Sequence, residues 1–360
     1  MSEASVRKVR RRLLAAVIGL AVAAVIALNV FAVPRVFGAD QPDPALVAAQ
    51  AAVADLPTVT AALAAAPAVH YTGTFQAAGS SDAYTLDARI TAGGTLLGMI
   101  QTGGTIGEIL EIGDRTFLRA ADGFWSHAGI TDDRRGMFAD RWVMVPAAFL
   151  GVDLTDTFGP QALTSGLTAP AAGAPTTTGG ITVQPVTVGE RVFQLSTDEP
   201  KRLVGVAAPG YEVKPAALDE TGRTAFTTQL RKAVTELATA ADLGSQLVRK
   251  GRAVLSACTS GTCTAKIAFT NRIAATAAHA AATPVPNTVT VVLHRNGRAA
   301  QTCPVTLTVA PGTTRVATCT ATVKAQNYGT WRATTDGIAA ALTPAQVEEI
   351  TATLESELPA

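Results

Sequence analysis

The sequence predicts an α+β protein. It has an N-terminal transmembrane helix, an antiparallel sheet with accompanying helices, and a small disulfide-containing β-sandwich. Three observations carry that prediction. An apolar run fills residues 13–33 directly behind a basic cluster. Short β-like runs then recur roughly every ten residues between glycine turns. All four cysteines, Cys258, Cys263, Cys303 and Cys319, fall in the C-terminal third.

The 360 residues suffice for two domains with their own cores. Apolar residues make up 48% but aromatics only 5%, so the apolar share comes from small aliphatics. Charged residues, at 16%, fall below the usual share of about 25%. This composition excludes a charge-driven disordered chain, a coiled-coil rod and a nucleic-acid binder resting on net charge. Within the net charge of +1, Arg7, Lys8, Arg10, Arg11 and Arg12 against Glu3 put +4 on residues 1–12 and leave −3 for the rest. That asymmetry reads as a topology signal.

Leu13 to Val33 contains one polar residue, Asn29. At 1.5 Å per residue the run spans roughly 30 Å, the depth of the hydrocarbon core. Positive charge precedes it and only Arg35 follows closely, so residues 1–12 form a cytoplasmic tail and the body lies outside the cytoplasmic membrane. The alternative is a signal peptide cleaved near Val30-Phe31-Ala32, which would release the body as a secreted protein. Against it, an h-region is normally about 7–15 residues. The segment lacks a cysteine for lipid attachment.

Residues 34–67 read as a helical spacer. Asp43-Pro44 supplies a cap and a first-turn proline, Pro57 interrupts, and a second short helix runs to about Ala66. Residues 68–210 read as a sheet domain. Its first strands lie near 69–76, 84–91, 95–101, 105–112 and 115–120, separated by Gly93-Gly94, Gly103-Gly104 and Gly113-Asp114. Tyr84, Leu86, Ala88 and Ile90 alternate with Thr85, Asp87 and Arg89, giving one apolar and one polar face. A short helix is expected near 159–166, a loop over 167–180, and further strands at 181–188, 191–196 and 202–207.

Residues 211–250 read as a helical connector. Phe226, Leu230, Ala233, Val234, Leu237 and Ala241 recur at helical spacing over 219–243. Residues 251–335 read as an Ig-like β-sandwich with strands near 252–257, 263–270, 288–294, 299–309, 313–323 and 329–334, and Asn296-Gly297 marks a tight hairpin. Cys258 and Cys263 can close a short turn. Cys303 and Cys319 stand opposite each other if 299–309 and 313–323 pair around Pro311-Gly312. The predicted disulfides are therefore 258–263 and 303–319. Residues 336–360 form a C-terminal helix, opened by the capping box Thr343-Pro344-Ala345-Gln346.

Residues 68–207 resemble the actinobacterial LppX/LprAFG-type envelope lipoproteins. The likeness lies in the glycine-turned meander, in Glu108-Ile109-Leu110-Glu111-Ile112-Gly113-Asp114-Arg115-Thr116-Phe117-Leu118-Arg119, in Gly123-Phe124-Trp125 and in Arg141-Trp142-Val143. The resemblance implies a curved, LolA-like half-barrel sheet partly wrapped around helices, with lipid handling in its hollow. The chain departs from the family by lacking the lipobox cysteine and by adding a second β domain.

An apolar sheet face must be covered or left as a hollow for apolar ligands. Leu86, Ile90, Leu97, Met99, Leu110, Ile112, Leu118 and Trp142 are the candidate lining residues. The other reading is that they simply pack against helices. No sequence motif indicates catalysis. His70, His127, His279 and His294 are scattered, and neither G-x-S-x-G nor a P-loop occurs. Arg134 and Arg135 neutralise Asp132-Asp133. The cysteine spacing is no zinc pattern.

The expectation is a non-enzymatic, single-pass, extracytoplasmic protein without metal or cofactor. It binds a lipid-like ligand for local hand-off or sensing, or serves as an envelope scaffold docking another envelope protein. Its partners are the membrane, through residues 13–33, and that ligand or protein; nucleic acid is not among them.

Overall fold

The computed structural model describes residues 43–77, 82–146, 149–258, 261–273, 286–310, 312–323, 330–337 and 339–358. The expected tail and membrane segment, 1–12 and 13–33, lie outside these residues. The chain divides between Val47 and Ala48 into two units. Helix α1 (Pro44–Ala64) begins in the first, and everything described beyond its first turn belongs to the second.

Asp43 caps α1, its Oδ1 accepting from Ala45 N at 2.9 Å. The helix runs on through Pro57, where the sequence predicts a break. A proline inside a helix removes a donor and costs about 3 kcal/mol. Here the proline ring faces outward, and Ala52, Leu56 and Thr60 form one buried stripe that holds both halves of the helix. By length and composition Ala45–Ala64 would also suit a membrane span.

The first meander is β1 (Ala68–Gln76), β2 (Ala83–Thr91), β3 (Leu96–Thr102), β4 (Thr105–Ile112) and β5 (Arg115–Ala120). Between Thr102 and Thr105, Gly103 and Gly104 turn the chain with φ of 54° and 76°, angles that side chains disfavour. Two short helices, α2 (Asp122–His127) and α3 (Asp132–Phe138), lead into β6 (Trp142–Val145). Helix α4 (Leu154–Phe158) precedes α5 (Pro160–Thr164), which is the short helix expected near 159–166. Gly159 divides them, capping the second beside its first-turn proline.

The expected loop at 167–180 contains β7 (Ala171–Ala172) and β8 (Thr176–Thr178), which line the edge of β9 (Ile181–Val188). Strands β10 (Arg191–Ser196), β11 (Leu203–Ala208) and β12 (Tyr211–Ala217) follow. Residues 211–217 are therefore a strand between β1 and β11 and not the start of a connector. Pro209-Gly210 and the alternation of buried Val213 and Pro215 with exposed Glu212 and Lys214 carry that strand.

Helix α6 (Glu220–Glu236) is capped by Asp219, whose side chain accepts from Gly222 N at 2.7 Å. It ends earlier than the predicted 243, because Ala241–Asp242 forms β13 and pairs in parallel with β6. Among the described residues the large sheet runs β13-β6-β5-β4-β3-β2-β1-β12-β11-β10-β9-β7, with β8 beside β9. Alternate residues build a different core on each side. The inner face packs α1 to α5 around Leu56, Trp125, Leu154 and Phe158. The outer face packs α6 and the C-terminal helix α7 (Pro344–Glu357) over Leu110, Phe117 and Trp142. Helix α6 is thus a layer of the large-sheet domain.

The C-terminal sheets are β14-β15-β18 and β17-β16-β19, built from β14 (Ser245–Ser256), β15 (Gly261–Ile273), β16 (Pro286–Arg295), β17 (Arg298–Thr308), β18 (Thr314–Val323) and β19 (Trp331–Gly337). Ile267, Phe269, Val289, Val291 and Leu293 form their shared core. Asn296 and Gly297, at φ of 49° and 81°, close the β16–β17 hairpin as its sequence predicts. Both expected disulfides are present.

The setting of one differs from expectation. β17 and β18 are not hairpin partners, since they lie in different sheets. Cys303–Cys319 therefore joins the two sheets. Asn271 holds the crossing loop: its Nδ2 donates to Val309 O at 3.1 Å and its carbonyl accepts from Gly312 N at 2.8 Å. Those bonds draw the loop to the end of β15, so the chain changes sheet where a flat turn was expected.

Candidate functional site

The candidate lining residues do not form one wall. Leu86, Ile90 and Leu118 belong to the inner cluster. Leu110, Ile112 and Trp142 belong to the outer cluster, with Leu97 packed against it. Met99 is 39% exposed. The reason is the two-residue period of a strand. Ile109 pairs with Leu118, whereas Leu110 pairs with Phe117 on the opposite face. Strands that are apolar on both faces, such as Glu108-Ile109-Leu110-Glu111-Ile112, give no sign in sequence of which residues share a side.

Three of the eight do meet, at a cleft of about 310 Å³ under α6 on the outer face. Leu97, Met99 and Trp142 line it with Arg89, Glu108, Arg119, Lys232 and Glu236. Cross-strand pairing sets out its floor: Asp87 opposes Met99, Met99 opposes Glu108, Glu108 opposes Arg119, and Arg119 opposes Trp142. Arg119 pairs with both Glu108 and Glu236. Its guanidinium also lies 4.8 Å from the Trp142 ring centroid. Trp142 Nε1 donates to Glu236 Oε2 at 3.2 Å, so one network ties β4, β5 and β6 to α6.

Arg89 stands apart. In the adjoining row it lies between His70 and Leu97. Asp87, the acidic residue two positions before it, pairs with His70 at 2.8 Å. Among the described residues no carboxylate or hydrogen-bond acceptor engages the half-buried Arg89 side chain. Sequence reasoning missed the charged members of this cleft. The visible signal was the polar set at alternate positions on β2, with Arg89 its last member.

A second cleft of about 410 Å³ lies where α6 meets the end of α7. Arg231 on its wall holds Glu355 by two hydrogen bonds of 2.8 and 2.7 Å. That pairing raises the guanidinium pKa and lowers that of the carboxyl.

Two polar groups are deeply buried on the inner side. Glu111, 5% exposed, accepts from both N and Oγ1 of Thr155 at 2.9 Å. Burial pushes its carboxyl up to about 7, Asp153 adds to the rise, and the Thr155 bonds oppose it. Among the described residues the buried Tyr71 hydroxyl has no hydrogen-bond partner, and burial raises its pKa. Among the described residues no group of three or more His, Cys, Asp or Glu side chains could hold a metal ion. The side chains of Asp132 and Asp133 lie outside those described.

The class these features define is an α+β protein with one large mixed sheet and a disulfide-bonded pair of smaller sheets, bonds typical of extracytoplasmic compartments. No family model and no curated protein matches the chain. Among solved structures it overlaps MucB at 13% identity and a TM-score of 0.24, covering 61% of this chain and 79% of that one. It overlaps MucB in complex with MucA(peri) at 14% identity and a TM-score of 0.24, covering 75% and 94%. With PNGF-II the identity is 8% and the TM-score 0.17, over 64% of this chain and 43% of that one. Overlaps this loose define neither a shared fold nor a shared function.

Proposed function

We propose that the chain is a non-enzymatic envelope protein held at the cytoplasmic membrane by residues 13–33, with its large-sheet domain serving as an extracytoplasmic protein-interaction module. The observation that supports this reading is the covering of both sheet faces. Leu86, Ile90 and Leu118 are closed beneath Leu56, Trp125 and Phe158, and Leu110, Ile112 and Phe117 are closed beneath α6 and α7. Such packing suits a rigid platform that presents polar surface to a partner.

Native mass spectrometry of the detergent-extracted full chain tests the reading. The expected mass is that of protein without a retained acyl lipid. A lipid held at one per chain would replace the interaction reading. Protease added to intact spheroplasts should remove the body and spare residues 1–12; survival of the body would overturn the extracytoplasmic placement.

One observation favours a second reading, an apolar ligand in a half-barrel hollow on the inner face. The Tyr71 hydroxyl is buried there with no acceptor or donor among the described residues, and a buried polar group left unpaired is costly. A lipid headgroup or hydroxyl entering beside Phe158, whose ring centroid lies 6.2 Å from that of Tyr71, would satisfy it. Under this reading Tyr71→Phe lowers lipid retention in the same mass measurement; unchanged retention removes Tyr71 from the argument.

A further inference from the structure

We propose that the cleft under α6 binds a single carboxylate on an apolar stem, presented by an acidic side chain of a partner polypeptide, with Arg89 as the receiving cation. This deepens the interaction-module reading and rests on it.

The charge of the lining points to this ligand. Arg89, Arg119 and Lys232 face Glu108 and Glu236, a formal surplus of one positive charge. Arg119 is already engaged by both carboxylates. Lys232 leans toward Glu236 at 3.9 Å. The surplus therefore resides on Arg89, because the acid nearest in sequence, Asp87, is taken by His70 at 2.8 Å.

Arg89 is of intermediate exposure, so its guanidinium can be reached from the cleft, and guanidinium forks bind carboxylates in pairs of hydrogen bonds. A dianionic phosphate fits less well: it would meet Glu108 and Glu236 with only one uncommitted arginine to neutralise it. Among the other lining residues, Leu97, Met99 and Ala233 offer apolar contact to the methylenes of a Glu side chain or to its neighbours. Met99, in the middle of β3, is 39% exposed and so open to such a contact.

The test uses the full chain in detergent micelles, titrated calorimetrically with acetyl-Ala-Leu-Glu-Leu-Ala-amide and with the same peptide carrying Gln for Glu. The Glu peptide should bind at least tenfold more tightly than the Gln peptide, and Arg89→Gln should erase that difference. Lys232→Gln, on the exposed side of α6, should weaken the Glu peptide by about threefold through lost screening-range attraction; it serves as the second variant if Arg89→Gln lowers the melting temperature. Equal binding of the two peptides, or an Arg89→Gln affinity equal to wild type, overturns the proposal. Inorganic phosphate displacing the peptide at equal or lower concentration, with the same dependence on Arg89, assigns a phosphate site and also overturns it. If neither peptide binds, this cleft is not the docking point, while the module reading stands on its packed faces.

Discussion

Glu111 is the side chain with the clearest titration consequence. Its strand neighbours Ile109 and Leu110 are buried, and its carboxyl is pushed from the ordinary 4.5 to about 7. The folded state therefore keeps a proton that the unfolded chain releases earlier. Stability is fully present below the unfolded value and is lost as pH rises through about 7. At about 1.4 kcal/mol per pH unit the loss is on the order of 3 kcal/mol. Thermal melts from pH 4 to 8 should show wild type falling relative to Glu111→Gln, whose amide stays neutral throughout. Parallel curves would show that Glu111 does not titrate in this window. An acid flanked by Leu110 and Ile112 was visible in sequence. Its burial beneath Thr155 was not, because the two are far apart in the chain.

At the scale of elements, the strands of the first meander were legible because glycine turns and two-residue alternation act locally. Two errors had a common cause in contacts made later in the chain. Helix α1 survives Pro57 because the sheet holds its buried stripe. Pro57→Ala should accordingly stabilise the protein by about 2 kcal/mol, the helix penalty less the entropy lost from the unfolded chain; an unchanged or lower denaturant midpoint would contradict a continuous helix. Helix α6 is an outer layer and its Asp219 cap is local chemistry. Asp219→Ala should cost about 1 kcal/mol in the same measurement. Strand β12 carried a proline-glycine turn and an alternating pattern, yet its neighbours β1 and β11 come from opposite ends of the domain.

Over the whole molecule, the two disulfides have different work. Cys258–Cys263 closes a local turn, while Cys303–Cys319 fastens one small sheet to the other. Replacing Cys303 and Cys319 by Ser should cost about 3 kcal/mol, the loop-closure value for a separation of 16 residues. It should also raise amide exchange across β16 to β18. Replacing Cys258 and Cys263 should confine faster exchange to the β14–β15 turn. A global loosening in the second variant would show that the small sheets depend on the turn.

The sequence by itself determined the local features: the glycine and Asn-Gly turns, the capping residues, the cysteine pairs, and the apolar run and charge asymmetry at the N-terminus. Most depend on residues close in the chain, or on composition alone; the Cys303–Cys319 bond has the expected partners but spans two sheets in place of a local hairpin. Only the tertiary structure decided which side of the sheet each apolar residue occupies, which strands share a sheet in the C-terminal domain, and that no acid among the described residues pairs with Arg89. A strand has two equivalent faces until something packs on one of them. In this chain the packing elements, α1 and α6, come from before and after the meander they cover.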